Sequence, residues 1–197
     1  MSAIRLAGLI IGSVSLVLIV ISLAIPYWIF LVDKEVQVTG SGITISISAK
    51  IGFWDYCISM DVVGFSGSRC GKFYESDRND ITDASVAMLL LGMLLMVGSV
   101  IACGTSILCK KESKLFPIVG GVCTFVSGTC MLIGVALYGS AYWGKIVLDG
   151  DTLIVSHMYG PCFYMAIVAT ILALVSGGLQ IASRGVSNVS VKPLESK

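Results

Sequence analysis

Four long apolar runs, a charge difference between the segments that join them, and one alternating polar–apolar stretch predict a four-span helical membrane protein carrying a small outer β-sheet. The 197-residue chain is 56% hydrophobic and 13% charged, with a mean hydropathy of +0.93. Ordinary soluble domains are far more polar. A hydrocarbon core of about 30 Å takes about 20 helical residues to cross. Runs of that length occupy about 7–26, 84–108, 116–141 and 159–182. The first follows Arg5 and contains the small residues Ser22 and Ala24, as a cleaved signal would. Its apolar run exceeds the roughly 7–15 residues of a signal core, so we read it as a span.

Charge orients the spans. Segments 1–6, 109–115 and 183–197 carry a net +5, whereas segments 27–83 and 142–158 carry −4. The positive-inside rule therefore places both termini and 109–115 in the cytoplasm and the other two segments outside. The expectation is one multi-pass domain of the plasma membrane. Outside is oxidising, so Cys57 and Cys70 can form a disulfide there. Cys103, Cys109, Cys123, Cys130 and Cys162 fall in or beside spans with no His or second Cys at ligand spacing. They read as small apolar packing residues, with no metal and no cofactor expected. Cys109, at the cytoplasmic edge, is also a candidate for S-palmitoylation.

The long outer segment predicts β-structure. In "SGITISISAKIGFW", Ile43, Ile45 and Ile47 alternate with Thr44, Ser46 and Ser48, the period-2 pattern of a strand with one covered face. Gly52 reads as a bend or bulge beyond which Trp54 and Tyr56 continue the alternation. A Cys57–Cys70 bridge would tie this strand to one around "RCGKFY". Closing such a loop contributes about 3 kcal/mol in the chain-entropy model.

Taken together, Trp28, Gly52-Phe53-Trp54, Cys57 and Cys70 resemble the signature of the claudin, epithelial membrane protein and peripheral myelin protein superfamily. The resemblance covers nearly the whole chain. "CGKFYESDRNDITDASVAML" is similar to the stretch leading through a short outer helix into the second span. "FPIVGGVCTFVSGTCMLIGVALYGSAYW" and "YGPCFYMAIVATILALVSGG" are similar to the third and fourth spans. What the resemblance implies is a left-handed four-helix bundle with a small antiparallel extracellular sheet, Trp28 near the outer membrane boundary, and Cys57 bonded to Cys70. Differences mark a divergent claudin-like chain. Phe53 stands where Leu is usual, both motif spacings are longer, and Asp83, Ala84 and Ser85 stand where an Arg usually precedes the second span. "ALYGS" is closer to epithelial membrane proteins or channel gamma subunits. The terminal lysine of "PLESK" does not suit an apolar PDZ pocket, so the usual scaffold contact is not expected.

Other features have ordinary explanations. Tyr27, Trp28, Tyr142 and Trp143 sit at span boundaries, where aromatic rings favour headgroups whatever the function. Gly8, Gly12, Gly120, Gly121, Gly128, Gly134 and Gly139 are expected to bring helices of the bundle together rather than to make dimers. Pro117 and Pro161 stand near span starts, where a missing N–H costs little. Asn188 heads an "NVS" sequon on the predicted cytoplasmic side, out of reach of glycosylation. The single histidine, His157, lies near Ser156, Asp149 and Asp151, but a chance cluster in a polar loop is the default and no catalytic site is expected. "DGD" is too short for a calcium loop. No phosphate-binding loop or basic cluster suited to nucleic acid is present.

What remains is a membrane-anchored sheet whose unpaired edges another chain can complete. With the resemblance, this implies a junction protein that assembles with itself in its own and the facing membrane into a paracellular barrier or pore. The alternatives are an auxiliary subunit of an ion channel or receptor, or a membrane organiser of the epithelial-membrane or myelin type. Asp55 in the motif and Asp61 between the cysteines are candidates for cation selectivity if they line a narrow passage. Otherwise they are solvated surface acids screened within about 8 Å.

Overall fold

The computed structural model describes residues 3–37, 44–62, 65–72, 80–108, 116–141, 146–148, 151–153 and 158–189. Its helices are α1 (Ala3–Ala24), α2 (Asp80–Leu108), α3 (Phe116–Ala141) and α4 (Pro161–Val189). All four are long and apolar enough to cross a membrane. Their ends follow local chemistry. α2 begins at Asp80, ahead of its apolar run, because Asp80 and Asp83 place negative charge on its first turn, where the helix dipole favours it. α4 begins on Pro161, the position at which a preset φ helps and a missing N–H is harmless.

The strands are β1 (Ile29–Gln37), β2 (Thr44–Ile51), β3 (Asp55–Val62), β4 (Phe65–Lys72), the hairpin β5 (Ile146–Leu148) with β6 (Asp151–Leu153), and β7 (Met158–Tyr159). One antiparallel sheet has the order β4-β3-β2-β1-β7. Two details differ from the sequence expectation. Trp54 and Tyr56 do not prolong the strand of Ile45 and Ile47, because the chain reverses at Gly52 and Tyr56 pairs back with Ile51. Ile29–Gln37 forms a strand that its sequence did not announce. The register shift between Leu31 and Lys34 breaks the alternation by which a strand is recognised.

The chain divides into two compact units. One comprises Met1–Leu18, Met88–Leu132 and Val168–Lys197, the other Ile19–Ala87 and Ile133–Ile167. In the first, α1 meets α4 through hydroxyls that donate to backbone carbonyls, Ser176 to Gly8 at 2.6 Å and Ser15 to Ala169 at 2.6 Å. α2 meets α3 in the same manner, Ser99 donating to Gly120 at 2.7 Å and Ser127 to Gly92 at 2.6 Å. A Cβ placed on Gly12 would sit 2.9 Å from the Ser176 hydroxyl, so the close approach requires the glycine. Gln180, buried, accepts from the Cys103 thiol at 3.2 Å and donates to Ser176 at 3.2 Å. The second unit repeats the device, with Ser22 donating to Cys162 O and Ser85 to Gly134 O, both at 2.7 Å.

The residues of these bonds recur at intervals of seven, as 8, 15 and 22 on α1 against 176, 169 and 162 on α4. On α2 they are 85, 92 and 99, against 134, 127 and 120 on α3. Seven is the repeat of left-handed coiled-coil packing. In lipid, apolar side chains gain little by leaving one apolar medium for another, so small residues and hydroxyls hold the helices together. Of the glycines named in the sequence, Gly8, Gly12, Gly120, Gly121 and Gly128 lie close against a facing helix.

Candidate functional site

The five-stranded sheet is fixed to the end of α1 through Trp28. Four residues beyond the end of α1, its ring is fully buried, its Nε1–H donates to Ser22 O at 2.7 Å, and its backbone N–H donates to Ile51 O at 3.0 Å. Phe53, Tyr138 and Phe163 surround the ring edge-on, with centroids 4.2, 4.9 and 6.0 Å away. Trp28 is therefore a core residue of this unit. Trp54 is 41% exposed and donates its Nε1–H to Leu23 O at 2.9 Å.

Gly52 makes the motif's tight turn possible. Its N–H donates to Asp55 O at 2.9 Å, and a Cβ there would lie 2.5 Å from Pro26 Cα. Phe53, next in the chain, is thereby turned into the aromatic cluster, where it is 2% exposed. Tyr138, Phe163 and Gly160 complete this anchor. Sequence reasoning did not single out Tyr138 or Phe163, because aromatic residues inside apolar spans carry no pattern that separates an anchor from ordinary packing.

Register divides the sheet into two faces. Ser46, Ser48 and Lys50 of β2, Asp55, Cys57, Ser59 and Asp61 of β3, and Ser66, Ser68, Cys70 and Lys72 of β4 share one face. Ala49 and Ile51 share the other with Tyr56, Ile58 and Met60. The second face is buried at Ala49 and Ile51 and opens outward at Met60, which is 49% exposed. Tyr56 lies over its cross-strand partner Gly71, where a Cβ would meet the phenol oxygen at 2.7 Å.

Cys57 and Cys70 stand directly opposite on β3 and β4 and are disulfide-bonded. At a sequence separation of 13, the closed loop stabilises the sheet by about 3 kcal/mol. Non-reducing peptide mapping of the mature protein should recover the two cysteines in one cross-linked product. A free thiol at either position would contradict it, and Cys57→Ala should leave Cys70 unpaired and lower surface delivery.

Asp55 and Asp61 lie on the hydroxyl-bearing face at opposite ends of β3, separated by about 20 Å at the usual strand rise. Their surroundings differ. Asp55 is half-buried and stands across from Lys72, while Asp61 is exposed and stands between Ser46 and Ser66. The structure does not bring the two acids together within one chain. Cys109, the palmitoylation candidate, and His157 lie outside the described residues. Among those described, no group of His, Cys, Asp and Glu is arranged to hold a metal ion.

Residues 2–180 match the model of the PMP-22/EMP/MP20/Claudin family. The chain belongs to that family. No individual curated protein matches it. Family membership and the four apolar helices establish a multi-pass membrane protein with a claudin-like fold. The residues that carry the sequence resemblance, Trp28, Gly52, Phe53, Trp54, Cys57 and Cys70, are the anchor, turn and cross-strand bridge described above.

Proposed function

We propose that this member of the PMP-22/EMP/MP20/Claudin family is a cell–cell junction protein. Its sheets assemble side by side in one membrane, and with copies on the facing cell, into a paracellular barrier or pore. The observation that carries this reading is the margin of the sheet, which no described strand covers. β4 ends the strand order, and its residues 66–70 are exposed. β4 also contains no proline, the residue that most directly blocks edge pairing. An edge of this kind accepts a further strand through its main-chain groups. The charge distribution supports cytoplasmic termini and an outward sheet, so tags at either terminus should bind antibody only after permeabilisation.

The hydroxyl-bearing face supports a cation-attracting lining. Ser46, Ser48, Ser59, Ser66 and Ser68 offer neutral oxygens, and Asp61 adds a carboxylate with no cation directly across in register. Asp55 faces Lys72 and contributes less field. In an epithelial layer without endogenous junction strands, dilution potentials should show sodium preferred over chloride. Asp61→Asn should lower that preference more than Asp55→Asn. Equal permeabilities unaffected by either change would exclude these acids from selectivity.

A further inference from the structure

We propose that Lys50, held by Tyr27, binds the phosphate of a phospholipid headgroup at the membrane end of the five-stranded sheet. The Lys50 ammonium donates to the Tyr27 hydroxyl at 3.2 Å and lies 5.0 Å from the centre of its ring. Tyr27 stands just past α1 and the span that ends at Ala24. The contact therefore ties a positive charge to the point at which the chain leaves the hydrocarbon, in the headgroup layer. Both residues are partly exposed, so this is a surface pair and not part of the aromatic core around Trp28.

Strand alignment leaves the charge available. Lys50 stands opposite Phe30 on β1 and Cys57 on β3, neither of which can neutralise it. Among the described side chains, the acid closest to it in register on that face is Asp55, one row further along and across from Lys72. An ammonium carries three N–H donors, and Tyr27 takes one of them. A lysine so placed meets phosphate as a compact point charge. Trp54 marks the same level, because its indole N–H is held by Leu23 O near the end of α1 while its ring stays partly exposed. Exposed Val20, Ile21 and Ile25 offer apolar surface on the membrane side for acyl chains. A phospholipid satisfies both the charge and the apolar surface, while a free phosphate satisfies only the first. On the positive-inside reading the lipid belongs to the outer leaflet.

The test is native mass spectrometry of the full chain, purified in detergent, with phosphatidylcholine, diacylglycerol of the same acyl chains, or inorganic phosphate added. Wild type should retain phosphatidylcholine over diacylglycerol by roughly tenfold, the size expected of one charge-assisted hydrogen bond. Lys50→Met keeps the apolar stem and loses the charge, and should abolish most of that preference. Lys50→Arg should keep it, and Tyr27→Phe, which frees the ammonium from its holder, should lower it partway. Arg69→Gln removes an exposed charge from the opposite face of the same sheet and should leave it intact. Thermal unfolding of each variant without added lipid checks that the fold is unchanged, and lipid-dependent shifts in the same experiment give an independent readout. Equal retention of both lipids by wild type, an undiminished preference in folded Lys50→Met, an equal loss in Arg69→Gln, or protection by inorganic phosphate without any lipid preference would each overturn the proposal.

Discussion

Trp28→Ala should destabilise the protein by about 3–5 kcal/mol, the range for removing a large buried aromatic side chain. The ring is fully buried against Phe53, Tyr138 and Phe163, so truncation leaves a cavity as well as losing the indole bond to Ser22 O. Trp28→Phe isolates the second loss. It keeps an aromatic ring in the cluster but leaves the Ser22 carbonyl without its donor, and should cost less, about 1–3 kcal/mol. Thermal unfolding in detergent, followed with surface delivery in cells, orders the three proteins. If Trp28→Ala unfolds with wild-type stability, the indole does not anchor the sheet.

Gly160→Ala should be as damaging. A Cβ at Gly160 would collide with Tyr27 O and lie 2.7 Å from Tyr27 C, and both are backbone atoms that no rotamer change can move. The same glycine donates its N–H to Trp28 O at 2.8 Å, so relieving the clash breaks the bond between the residues that flank β7 and β1. We expect a loss of about 3 kcal/mol or more, at the upper end of overpacking effects. Gly98→Ala provides the opposite sign. Nothing lies within 4 Å of a Cβ there, and replacing an open helical glycine should stabilise α2 by about 0.5–1 kcal/mol. Equal effects of the two changes in unfolding experiments would contradict the assigned close approach.

Much of this fold is written in composition and charge. Apolar runs of about 20 residues have few alternatives to spanning helices, and the alternation of Ile45 and Ile47 with Ser46 and Ser48 marks one strand plainly. Other elements depend on tertiary context. β1 runs from apolar Ile29 and Phe30 into charged Asp33, Lys34 and Glu35, and its irregularity between Leu31 and Lys34 shifts the phase of its faces. Trp28 looks like a membrane-boundary aromatic until Tyr138 and Phe163, more than 100 positions away in sequence, are folded against it. A pattern was available for the helices but had a different period from the one sought. Gly8 and Gly12 suggest a four-residue spacing, whereas the hydroxyl–carbonyl bonds follow a seven-residue spacing of Ser, Gly, Ala and Cys. Hydrophobic periodicity cannot show it, because the lipid-facing and buried sides are both apolar and differ chiefly in residue size.

The cysteine pair was legible from its expected outer location and family resemblance, and register adds that the two residues sit directly across adjacent strands. The two acids were legible only as a pair. Their difference, Lys72 across from Asp55 and serines on either side of Asp61, is a property of strand alignment.

Freeze-fracture microscopy of cells that lack junction strands, expressing this chain alone, tests the central proposal most directly. Lateral assembly through the β4 margin and recognition across the gap predict continuous rows of intramembrane particles confined to contacts between expressing cells. Dispersed particles over the whole surface, with the protein correctly delivered and its disulfide intact, would contradict a junction-forming role.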